Sequence, residues 1–167
     1  VQQGLEGQPN SARAQASRFF QAGVIAEKRK QWVSARGHFK LAAQYAPEVS
    51  EYQEALERTT RRVDEERADE LWAQALEVDE AARAKQVKLS KWLEAVSPLF
   101  EQSLELREGV ERVKHYAARC VELGDHERAE PWLRRMINAH PFAIDLKWVL
   151  LQSLEARGQL EAAQAQC

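Results

Sequence analysis

The chain has 167 residues, with 24 Lys and Arg against 26 Asp and Glu and a formal net charge of −2. This balance lacks the basic stripe of a nucleic-acid-binding protein, and no apolar run approaches the roughly 20 residues of a membrane span. Only seven Gly and five Pro occur, among abundant Ala, Leu, Glu, Arg and Gln. Because these are strong helix formers, we expect an all-α protein.

The first part of the chain has the pattern of a helical hairpin. Residues 1–10 contain two Gly and one Pro and are predicted to form a flexible leader. Apolar residues then recur at helical spacing over 19–26 and again over 32–43, on either side of a polar break at 28–31. Residues 11–47 are therefore predicted to form two helices joined by a short turn.

The middle of the chain is predicted to be one long charged stretch of helix followed by further hairpins. Residues 49–97 contain neither Gly nor Pro, and their first half is dense in charges of both signs. We expect a charged bridging helix over 48–65 and a longer, degenerate hairpin over 66–108. Another hairpin is predicted over 110–141, and a partial one over 142–167.

Eight positions recur with identical spacing in two segments of the chain. In the first segment they are Phe19, Ala22, Gly23, Ala26, Ala35, Phe39, Ala42 and Pro47, and in the second Val113, Tyr116, Ala117, Cys120, Ala129, Leu133, Met136 and Pro141. Gly158 and Gln159 precede Ala163 as Gly124 and Asp125 precede Ala129, at an interval of 34 residues. A period of 34 with small residues at fixed points is typical of stacked helical hairpins.

These residues resemble the tetratricopeptide repeat (TPR) family, well over 12–47 and 92–167, loosely over 66–91, and only as helix over 48–65. The resemblance implies an all-α, TPR-type helical-hairpin solenoid, a right-handed superhelix, here with one long charged central helix. It also implies that Gly23 and Ala35 let the two helices of the first hairpin approach closely, while Phe39 fills the wedge between them.

The residue pattern gives no sign of catalytic or metal chemistry. The four histidines stand apart from other ligands, and His115 and Cys120 are five positions apart, which places them on diverging helix faces. Cys120 falls at a packing position, where an inert thiol is expected. There is no GxSxG turn and no Gly-rich phosphate loop. We expect neither an enzyme nor a cofactor.

The TPR resemblance implies a binding surface, because in that family the first helix of each repeat lines a concave groove. Carried onto this chain, the partner-binding residues are Phe20, Gln21, Val24, Lys28, Lys114, His115, Val121, Trp148 and Gln152. Phe20 and Trp148 are the expected exposed anchors. The family's clamp for chaperone tails uses Lys and Asn where this chain has Phe20 and Val24. The expected ligand is therefore a peptide with both apolar and polar side chains.

The expected function is that of a protein–protein interaction module, a scaffold or adaptor that belongs to a larger bacterial protein. With only two cysteines, a reducing and cytoplasmic location is expected. The expected partner is another protein or peptide, without nucleic acid or membrane insertion. Apolar residues Leu150, Leu151 and Leu154 leave open a homodimer through the C-terminal end. The alternatives are a small secretion-type TPR chaperone that shelters an export substrate, or a regulatory region of an enzyme or J-domain protein.

Overall fold

The computed structural model describes the backbone of residues 8–158 and the side chains of residues 11–158. The helices in this range are α1 (Gln8–Lys28), α2 (Trp32–Tyr45), α3 (Ser50–Ala84), α4 (Leu89–Ala95), α5 (Ser97–Leu106), α6 (Val110–Glu122), α7 (His126–Ala139) and α8 (Ile144–Ala156). No strand occurs in the described range, so the all-α prediction is confirmed. The chain divides into two compact units, Val1–Glu66 and Arg67–Cys167.

The first unit is built on the predicted hairpin of α1 and α2. Gly23 of α1 is buried against the ring of Phe39, and a Cβ atom at Gly23 would lie 2.5 Å from Cε1 of that ring. The two helices therefore approach closely where the repeat pattern predicts it. Ala26, Ala35 and Phe39 share a core with Ala55, from the beginning of α3.

The turn between α1 and α2 closes with the hydrogen bonds of a Schellman motif. The Gln31 N–H donates to the Ala26 carbonyl at 3.0 Å, and the Lys30 N–H donates to the Glu27 carbonyl at 2.9 Å. Lys30 has a φ of 58° in this turn. The turn between α6 and α7 has the same hydrogen-bond pattern, but there a glycine, Gly124, takes the left-handed conformation with a φ of 82°.

Two predicted boundaries differ from the structure. Helix α1 begins at Gln8, so the last residues of the predicted leader are helical, while residues 1–7 lie outside the described range. Helix α3 is continuous over 35 residues. The predicted bridging helix and the first helix of the degenerate hairpin are thus one element, because no helix-breaking residue separates them.

The second unit has one hydrophobic core to which α3 and each later helix contribute. Helix α6 contacts α5, α7 and α8, and α7 contacts α8. The largest fully buried side chains of this core are Trp92, Phe100, Leu104, Tyr116, Leu133, Leu146, Leu150 and Leu154. Pro98 lies in the first turn of α5, where the missing N–H costs little. Pro131 lies deeper, inside α7.

The apolar surface near the end of the described chain is not where the sequence predicts it. Leu150 and Leu154 are buried in the core, and Leu151 is half-buried. The large apolar side chains exposed nearby are those of Phe142, Ile144 and Trp148. Ala163, which completes the 34-residue interval, lies outside the described residues. A homodimer through this end of the chain stays a prediction.

Candidate partner-binding groove

The nine predicted binding residues are divided between the two units. Helix α1 of the first unit carries Phe20, Gln21, Val24 and Lys28, whereas α6 and α8 of the second unit carry Lys114, His115, Val121, Trp148 and Gln152.

In the first unit, two of the four predicted residues belong to the core. The ring of Phe20 is half-buried, with its centroid 5.4 Å from that of Phe39 and 4.7 Å from that of Tyr52. Val24 packs against the same core. Phe20 is therefore not the exposed anchor that the sequence predicts, because Tyr52 of α3 covers its ring. Gln21 and Lys28 are exposed.

The second unit contains a groove of about 500 Å³ between α3 and α6, which we call the α3–α6 groove. Its size is within the usual range of ligand-binding clefts. Its lining comprises Trp72, Leu76 and Arg83 of α3 and Glu111, Arg112, Lys114, His115, Ala118, Arg119 and Glu122 of α6. Two predicted binding residues, Lys114 and His115, thus line one groove. Val121 packs against the core instead.

An aromatic side chain, Trp72, forms part of the floor of the groove and is held from several sides. Its ring meets that of Phe100 edge to face at 4.9 Å and that of His115 at 5.6 Å. The guanidinium carbon of Arg112 lies 5.4 Å from the Trp72 ring centroid, within the range of a cation–π interaction. Because these neighbours fix the indole, the floor is formed before any ligand binds.

A buried ion pair beside the groove joins α3 to α6. Arg119 Nε donates to both carboxylate oxygens of Asp79, at 2.9 and 3.1 Å, and these residues are only 8% and 3% exposed. Trp92 Nε1 also donates to Asp79, at 2.7 Å. Arg119 and Arg83 both reach Glu122, at 3.0 and 3.2 Å. In the described part of the chain, every buried polar side-chain atom has a partner.

Sequence reasoning missed Asp79, although a signal for it exists. Ala68, Leu71, Ala75 and Ala82 are buried on one face of α3. Asp79 falls at the same helical spacing, four residues after Ala75. A carboxylate on a core stripe predicts a buried partner, because an unpaired buried charge is very costly. The sequence offers Arg83, four residues further along α3, but it does not show that Arg119 of α6 is the closer partner.

On its other side, α6 is linked to α8 by an ion pair. Lys114 Nζ lies 2.6 Å from a carboxylate oxygen of Asp145, and this hydrogen bond raises the pKa of Lys114 above its usual value. Trp148 follows Asp145 by three residues and therefore lies on the same face of α8. Trp148 is 59% exposed, as predicted for an anchor, and Gln152 is exposed one turn further along.

The groove offers both signs of charge around an apolar floor. Arg112 pairs with Asp69, and Lys114 pairs with Asp145. Arg119 pairs with Asp79, and Arg83 with Glu122. Within residues 11–158, no group of three or more His, Cys, Asp or Glu side chains could hold a metal ion. None of the helices in the described part combines the length and apolar character that crossing a membrane requires.

The Cys120 thiol is expected to be unreactive in the folded protein. It is buried, and burial raises its pKa to about 12, so very little nucleophilic thiolate forms near neutral pH. In a Cys167→Ser background, a chromogenic disulfide reagent at about pH 8 should modify Cys120 only after urea is added. Rapid stoichiometric modification of the native protein would show that this thiol is accessible and activated.

Comparisons with protein-family models, with curated proteins and with solved structures find no match to this chain. The relation to TPR proteins therefore stays a prediction, which rests on the eight recurring positions and the 34-residue interval. In the structure, α1 packs against α2 and α6 packs against α7, and these are the two places where the pattern predicts hairpins.

Proposed function

We propose that this chain is a protein-binding module, a scaffold or adaptor that holds a segment of a partner protein in the α3–α6 groove. The observation that supports it most is a preformed floor made of Trp72, Leu76 and Ala118 beside a rim of paired charges. Such clefts, in which an apolar floor is combined with a few fixed polar groups, are the usual form of binding sites.

The chemistry of the groove favours a peptide that has an apolar side chain flanked by polar or charged groups. An apolar side chain removes its own surface and that of Leu76 from water, which is the dominant gain in association. Carboxylates and cations are both present on the rim, so polar groups of the peptide find complementary partners there. Trp148 on α8 offers a second apolar contact, because the face of α8 that carries it also meets Lys114.

Selection from a random peptide-display library on the immobilised protein tests this proposal. The selected peptides are then titrated into wild type and into Leu76→Glu, which places a charge on the apolar floor. We expect affinity to fall by about tenfold or more, a loss of about 1.4 kcal/mol. Leu106→Glu is the matched control, because Leu106 on α5 is about as exposed as Leu76 and does not line the groove.

Two results would contradict the proposal. One is a selection that enriches no common peptide sequence. The other is a set of peptides that bind wild type, Leu76→Glu and Leu106→Glu equally well, which would place the binding surface elsewhere on the chain.

A further inference from the structure

A second exposed surface of mixed apolar and basic character lies on α2 in the first unit. Val33, Gly37 and Leu41 follow one another at intervals of four residues, and all three are exposed. The residues of α2 that are buried in the hairpin, Ala35, Phe39, Ala42 and Ala43, lie on the opposite side of the helix. We call the exposed side, with its flanking cations, the outer face of α2.

Gly37 has no packing role within the described chain. A Cβ atom placed on it would meet nothing within 4 Å, and its φ is not in the left-handed region. A glycine in the middle of a helix lowers the stability of that helix relative to alanine. The residue therefore weakens α2 without relieving a clash or a strained turn. What it does provide is a notch between Val33 and Leu41, where another backbone can approach closely.

The outer face of α2 is also strongly basic. Residues 28–47 contain Lys28, Arg29, Lys30, Arg36 and Lys40 and no Asp or Glu. None of these five cations has an ion-pair partner among residues 11–158. Cations at the end of α1 are favoured by the dipole of that helix. The dipole does not account for Arg36 and Lys40, which lie within α2 beside the notch.

We propose that the outer face of α2 binds an acidic amphipathic helix of a partner protein. Apolar side chains of that helix pack on Val33 and Leu41 across the Gly37 notch, and its carboxylates pair with Lys30, Arg36 and Lys40. Charge complementarity of this kind steers association and fixes the orientation of the partner. A notch of backbone width fits a helix better than a lipid surface, since membrane-binding helices present several large apolar side chains.

This surface is distinct from the α3–α6 groove, because it lies on α2 of the first unit and shares no residue with the groove lining. Failure of one proposal is therefore distinguishable from failure of the other. Leu76→Glu, which disables the groove, is expected to leave binding at α2 unchanged.

Isothermal titration calorimetry of the full chain with a designed peptide tests the inference. The peptide has about 20 residues of Leu, Ala and Glu in an amphipathic helical pattern, long enough to form a helix. A second peptide has Lys in place of every Glu. We expect saturable binding of the Glu peptide, weakened by salt, and no binding of the Lys peptide.

Two substitutions on α2 distinguish docking from non-specific charge attraction. Gly37→Leu fills the notch without changing charge, and we expect it to raise the melting temperature and weaken peptide binding by about tenfold or more. Lys40→Glu should weaken binding to a similar degree, whereas Lys85→Glu, an equal charge change at an exposed site outside the first unit, should have little effect.

Three outcomes would overturn the inference. The Glu peptide does not bind, or Gly37→Leu binds it as wild type does. Alternatively, vesicles of phosphatidylserine and phosphatidylcholine retain the protein with the same dependence on Gly37 and Lys40, which would assign the face to an anionic membrane surface instead.

Discussion

Replacing Asp79 with Ala is expected to lower the free energy of unfolding of the second unit by about 3–5 kcal/mol, the usual loss when one partner of a buried ion pair is removed. Arg119, which is 8% exposed, would lose both of its hydrogen bonds to Asp79 and keep only the more exposed Glu122, and Trp92 Nε1 would lose its acceptor. Domains are stable by only about 5–15 kcal/mol, so the effect is a large fraction of the total. Urea denaturation followed by far-ultraviolet circular dichroism measures it.

Two further variants separate burial from charge. Asp69→Ala removes an exposed carboxylate that pairs with Arg112 and Arg107, and it should cost about 1 kcal/mol or less. Asp79→Leu combined with Arg119→Leu should recover part of the stability lost in Asp79→Ala, because no buried charge is left unpaired, although Trp92 Nε1 still lacks its acceptor. A loss in Asp79→Ala no larger than that in Asp69→Ala would show that the pair is screened by water.

Gly23→Ala is expected to destabilise the first unit by about 1–3 kcal/mol, although alanine is the better helix former. The new Cβ would lie 2.5 Å from Cε1 of Phe39, whose ring is fully buried and has little room to move. The clash should outweigh the gain in helix propensity, which is about 1 kcal/mol. The midpoint of urea denaturation of the first unit is the measurement.

Gly37→Ala is the matched control for this prediction. It is the same substitution, made in the neighbouring helix, where the added Cβ meets nothing within 4 Å. It should stabilise the protein by about 1 kcal/mol, so the two glycines should respond with opposite signs. Combining Gly23→Ala with Phe39→Leu should restore part of the loss. Equal stabilisation by both Ala variants would contradict close packing at Gly23.

The parts of the fold that could be predicted from the sequence are those set by local spacing. Strong helix formers and the scarcity of Gly and Pro predict the helices, and the TPR resemblance implies the close approach of the first two helices at Gly23, although it pairs Gly23 with Ala35 and not with Phe39. The repeat pattern predicts a boundary between residues 65 and 66, whereas α3 continues through this point. No helix-breaking residue occurs there, so the helix is not interrupted.

The candidate site was predicted only in part, because most of its contacts join residues that are distant in sequence. Lys114 and His115 line the α3–α6 groove as expected, but Trp72 and Leu76 belong to the helix that matches the repeat least well. Asp79 is followed at helical spacing by one partner, Arg83, but its two closer partners, Trp92 and Arg119, lie 13 and 40 positions away, beyond any helical periodicity. Phe20 was misjudged for the same reason, since Tyr52 covers it from a later helix.

The positions of the five tryptophans give each unit a natural optical label. Trp32 is the tryptophan of the first unit, while Trp72, Trp92, Trp132 and Trp148 belong to the second. Within the second unit the indole environments differ widely, from Trp92 with no exposed surface to Trp148 in open solvent. In variants that keep one tryptophan and have Phe at the other four positions, emission from Trp32 would follow the first unit, blue-shifted emission from Trp92 the core of the second, and quenchable emission from Trp148 the surface of α8.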